Sequence, residues 1–77
     1  MDKNIEKAKE VIDRVGFLVA RTELAKVFGK KNVDSLPFGG PGFMVNVGGK
    51  KIAILSASKV DGPDATSDDG KIAIGYI

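Results

Sequence analysis

Four aspartates, Asp61, Asp64, Asp68 and Asp69, crowd into the stretch VDGPDATSDDG (residues 60–70) beside Thr66 and Ser67. Hard oxygen donors of this kind are what calcium and magnesium bind. Their spacing departs from an EF-hand loop, which needs donors at alternate positions, Gly at the sixth and Glu at the twelfth. The simpler expectation is a solvated loop of turn formers, with these four residues as weak metal-ligand candidates and no cofactor. Hydroxyls occur at Thr22, Ser35, Ser56, Ser58, Thr66 and Ser67, yet the chain has neither His nor Cys. No imidazole is available to activate a nucleophile, and no Gly-x-Ser-x-Gly turn presents one. The same absences remove disulfide staples, thiol nucleophiles and the usual zinc sites. Carboxylates on an exposed helix or in the acidic loop have nothing to shift their pKa values. A chain this small also has little volume for a substrate pocket. The expectation is a protein that is not an enzyme.

The stretch FGGPGF (residues 38–43) is rich in glycine, but it lies between a turn and a strand and carries neither a P-loop nor a dinucleotide fingerprint. Backbone amides are therefore not expected to cradle a phosphate at a helix start. Its chemistry is apolar instead. Leu36, Phe38 and Phe43 flank glycines too small to cover them, which makes the loop a candidate apolar peg for a protein partner.

A second candidate set is cationic. Within RTELAKVFGKKNVDSL (residues 21–36), the core ELAKVFG resembles the first helix and turn of helix-turn-helix DNA-binding proteins. In that pattern a small residue sits inside the first helix and a glycine four residues later opens the turn, as Ala25 and Gly29 do here. The resemblance implies a recognition helix starting near Lys31. Pro37 and the glycines after it cut that helix short, so the motif is degenerate. Arg21, Lys26, Lys30 and Lys31, joined by Lys50 and Lys51 from a hairpin, are the nucleic-acid candidates. With few aromatic residues among them, base stacking on single strands is not expected.

These side chains must be positioned by one domain, because 77 residues allow no more. The formal net charge is only +2, too small to name a polyanionic partner, but it is unevenly spread. Residues 1–31 carry +3, residues 32–60 carry +2 and residues 61–77 carry −3. No apolar run approaches the roughly 18 residues of a membrane span. The mixed-charge start MDKNIEKAKE is unlike a secretory signal, and the cytoplasm is the expected location.

Ile5, Ala8, Ile12 and Val15 recur at helical spacing and predict an amphipathic helix over residues 3–15, stopped by Gly16. Phe17–Ala20 reads as a buried connector. Thr22 reads as the N-cap of a short second helix whose inward face is Leu24, Val27 and Phe28, ended by Gly29. Residues 33–36 have room for a helical turn at most. Beyond them, Phe43–Val47 and Lys50–Ile54 alternate about Gly48-Gly49, a two-residue hairpin turn. The turn pairs Phe43 with Ile54, Val45 with Ile52 and Val47 with Lys50, which gathers the apolar residues on one face. Lys71–Ile77 supplies a third strand after a polar loop.

The expected fold class is α+β: two N-terminal helices packed on a three-stranded antiparallel β-meander, a single domain over 1–77. The expected function is a small interaction or regulatory protein that binds a larger protein partner. The alternative is a small DNA-binding regulator. Short sheet edges also permit a homodimer.

Overall fold

A computed structural model describes residues 2–77. The first helix, α1, runs from Lys3 to Val15. The Asp2 carboxylate accepts the Asn4 and Ile5 N–H groups at 2.7 and 3.3 Å, so orphan donors of the first turn are satisfied. Ile5, Ala8, Val11 and Ile12 form its buried stripe. Val15, expected in that stripe, is only partly buried.

The second helix, α2, spans Ala20–Phe28 and starts two residues before the expected Thr22. Val19 is its N-cap and no side chain caps it. Ala20 is fully buried, and bringing it into the core starts the helix early. The preceding run is not the buried connector expected: Phe17 packs against the core, but Leu18 is 94% exposed and Val19 59%. A tight reversal between two helices cannot turn every side chain inward. Val27 also faces outward, while Leu24 is buried and Phe28 packs on the core. Arg14 and Glu23 face each other across the two helices at 3.6 Å.

After Gly29 a 3-10 turn at Lys30–Asn32 leads into a two-residue strand, β1, Val33–Asp34. The Asn32 side-chain amide closes α2 by donating to the Phe28 carbonyl at 2.7 Å. Strand β2 spans Phe43–Val47 and β3 Lys50–Ser56, joined through Gly48 and Gly49, both with positive φ as this turn requires. Their pairing is the one the sequence predicts, Phe43 with Ile54 through Val47 with Lys50. A second short strand, β4 (Ala65–Thr66), pairs with β5 (Ile72–Tyr76), and β5 pairs with β3.

The architecture is α+β, but the sheet has five antiparallel strands in the order β1-β2-β3-β5-β4 rather than a three-stranded meander. The extra strands are two residues long, too short to leave an alternation in the sequence. Val33 and Asp34 pair with Val45 and Met44, so the segment with room for at most a helical turn begins instead as a sheet edge. Val33 is buried there, as suits a β-branched residue beside a sheet.

Both helices cover one face of the sheet. The core between them is built from Ile5, Val11, Leu24, Val45, Ile52, Ile54 and Ile74, all essentially inaccessible. On the opposite face lies a much smaller cluster of Leu36, Ala53 and Leu55 with Val60 against it. No helix among the described residues is long and apolar enough to cross a membrane.

The turn before β5 is tied to α1 by charge. Lys9 reaches Asp13 at 2.5 Å and Asp68 at 2.7 Å, and the Asp68 N–H donates to Asp13 at 2.8 Å. The Lys9 ammonium and the Asp68 N–H hold the Asp13 carboxyl below its ordinary value, while Asp13 and then Asp68 raise Lys9. Asp13 therefore contributes stability above its unfolded pKa that is lost as pH falls through the folded one. Lys9 contributes below its unfolded pKa and loses that as pH rises through its raised value. Between roughly pH 5 and pH 10 both contributions are present. Asp13→Asn should reduce the drop in urea midpoint between about pH 5 and pH 3. An acid-induced drop as large as the parent's would show that this carboxylate is not responsible.

Candidate functional site

The sheet separates the three apolar candidates. Phe43, at the start of β2, points to the helix face and packs on Phe17 with ring centroids 5.1 Å apart. Leu36 is only 5% exposed and belongs to the cluster on the other face. Neither is free to act as a peg. Gly42 approaches Leu36 closely, and a methyl group on it would run into both the Leu36 side chain and the Ile54 carbonyl. Phe38 alone stands out, 63% exposed.

Phe38 stands at the rim of a trough of about 450 Å³ on the sheet face away from the helices. The floor comes from cross-strand pairs with little bulk, Ala53 opposite Gly75 and Leu55 opposite Ala73. Val60, Pro63 and Ile77 raise the sides, and Lys59 and Asp61 supply the charge nearby. Reading the residues alone missed Val60, Pro63 and Ile77. The available signal was the parity of β3 and β5, because Ala53, Ala73 and Gly75 all fall on the face opposite the bulky stripe. Small residues in register on one face leave a hollow.

The aspartates do not converge. Asp64 accepts the Tyr76 N–H at 3.0 Å, beside the residues where β4 pairs with β5. Asp68 binds Lys9. Asp69 accepts from the Ser67 hydroxyl at 2.6 Å and the Lys71 N–H at 2.9 Å, and these two donors, the hydroxyl foremost, lower its pKa. Ser67 in turn accepts the Ile72 N–H at 3.0 Å. Asp61 lies by the trough. Three of the four carboxylates thus bind backbone N–H groups or side chains of the same fold. No group of three or more acidic, His or Cys residues placed to hold a metal ion occurs among the described residues.

The cations fall into two places. Arg21, Lys26 and Lys30 line a groove of about 570 Å³ between α2 and β1, with Thr22, Ala25 and Val33 completing it. Lys50 and Lys51 follow the hairpin turn at the start of β3, with the Lys50 ammonium 5.2 Å from the centre of the Tyr76 ring. Lys31 sits in the 3-10 turn just before β1. Because β1 runs antiparallel to β2 from Val33 opposite Val45, the preceding Lys30 and Lys31 lie toward the same end of the sheet as Lys50 and Lys51. Lys26 pairs with Glu23 at 3.3 Å, whereas Arg21, Lys30, Lys31, Lys50 and Lys51 have no salt bridge among the described residues. The implied recognition helix is absent, because the chain after Gly29 makes a 3-10 turn and a strand. Val33 pairs with the sheet, where its apolar side chain is covered, and Pro37 stops any longer helix.

No protein-family model matches the chain, and no curated protein or solved structure does either.

Proposed function

We propose that this chain is a non-enzymatic binding module that regulates a larger protein by seating one of that partner's apolar side chains in the trough beside Phe38. The observation that carries this reading is a large aromatic ring left 63% exposed at the rim of an apolar hollow. Covering such a ring contributes roughly 1.5–3 kcal/mol, and central aromatic anchors of this kind dominate many interfaces. The absence of His and Cys supports a binding role over a catalytic one.

Phe38→Ser is expected to abolish stable partner capture, with Leu18→Ser as its control. Leu18 is the more exposed residue but lies in the turn between the helices, on the other side of the sheet. Neither change removes core packing, so urea midpoints should shift by less than about 0.5 kcal/mol equivalent. Equal capture by both variants would refute the trough as the binding surface.

A second reading, a small DNA-binding regulator, is favoured by one observation: Lys30, Lys31, Lys50 and Lys51 lie toward one end of the sheet without salt-bridge partners among the described residues. It would engage phosphates through this basic end, since no recognition helix is available to read bases.

A further inference from the structure

We propose that the groove between α2 and β1 binds an extended acidic peptide, which pairs with the outer edge of β1 and places alternate carboxylates against Arg21, Lys26 and Lys30. This surface is separate from the trough and does not depend on it. Val33 of β1 forms the strand side of the groove. β1 is the outermost strand, and in an antiparallel pair one of its two residues turns its N–H and C=O away from β2. Such an edge is a template for a further strand.

The wall selects the charge. Arg21, Lys26 and Lys30 line the groove, Lys26 also pairing with Glu23 at 3.3 Å; none of the lining residues is itself acidic, and the Thr22 hydroxyl offers one more donor. Asp34, the acid in β1, alternates with the inward-facing Val33 and so lies on the face away from α2. Ala25 between the cations is small, which opens the space they surround. Arg21 and Lys26 are separated along the helix by a rise of about 7.5 Å. Side chains on one face of a strand repeat every ~6.7 Å. An extended segment with acids at every second residue therefore spaces them much as α2 spaces Arg21 and Lys26 along its axis.

The test is fluorescence polarisation with a labelled ten-residue peptide of alternating Glu and Val. Saturable binding that weakens with salt is expected, together with a loss of about tenfold or more on Arg21→Glu/Lys30→Glu. A Lys/Val peptide should not bind. A Glu/Val peptide N-methylated at alternate amides should bind at least about tenfold more weakly, because strand pairing uses those amides. Phe38→Ser should bind the acidic peptide like the parent, so failure here and failure of the trough are read separately. Equal binding of the N-methylated peptide would overturn the strand pairing. No binding of the acidic peptide, or binding only of a duplex oligonucleotide, would overturn the proposal.

Discussion

Gly42→Ala should be among the most damaging single substitutions in this chain, lowering unfolding free energy by about 2–6 kcal/mol in a urea titration. Gly42 has φ of +144°, a region that side-chain-bearing residues rarely adopt. A methyl group there would stand 2.5 Å from the Ile54 carbonyl oxygen and 2.6 Å from the Leu36 Cδ1. The leucine methyl can swing aside. The carbonyl cannot, because Ile54 lies within β3, paired with Phe43 on one side and Ile74 on the other. Backbone strain of about 1–3 kcal/mol therefore adds to an overpacking cost of similar size. A chain of this length has a total stability of only about 4–12 kcal/mol. Gly39→Ala separates the two contributions. Gly39 also has a positive φ, +81°, but nothing lies within 4 Å of an added methyl. It should cost only the strain, about 1 kcal/mol. Equal midpoints for the two variants would show that the close approach at Gly42 carries no weight.

That close approach also explains what was and was not legible in the residues. The hairpin was legible because its turn and its alternation agree over five consecutive pairs, and a slip of one would expose the whole apolar stripe. Helix α1 was legible because one stripe and one stop residue suffice to define it. Leu36 was not. It is buried against Ala53 and Leu55 with Gly42 close by, and no local pattern encodes those contacts. β1 and β4 were invisible for a related reason, since two residues cannot show a period and their pairing partners lie in other strands. Leu18 departs from its local pattern in the other direction. Four apolar residues in a row suggested burial, but the geometry of the turn leaves two of them in water. The trough required the register of β5 on β3, which sets Ala53 opposite Gly75 and which the expected meander leaves open. Contacts local in sequence could be read; the site depends on contacts that are not.

The two faces of the sheet should then differ sharply in what they contribute, and neighbouring residues of β3 test this. Ile54 faces the helices at 0% exposure, in the centre of the main core. Ile54→Ala removes methyl groups from a site that Val45, Leu24 and Ile74 cannot collapse to fill without moving both helices. It is expected to cost about 2–5 kcal/mol, enough to unfold a large fraction of a domain this small. Leu55 faces the opposite side, nearly as well covered at 9%, but what covers it is a loop cluster beside the trough. Truncating it extends a hollow already open to water, so the cavity component largely disappears and about 1–2 kcal/mol should be lost. Similar burial and a similar change thus predict different losses in denaturation. The binding readout should run the other way, because Leu55→Ala widens the trough under a bound side chain while Ile54→Ala, in the fraction still folded, leaves it intact. Equal stability losses would mean that the second face is a true core and not a binding surface.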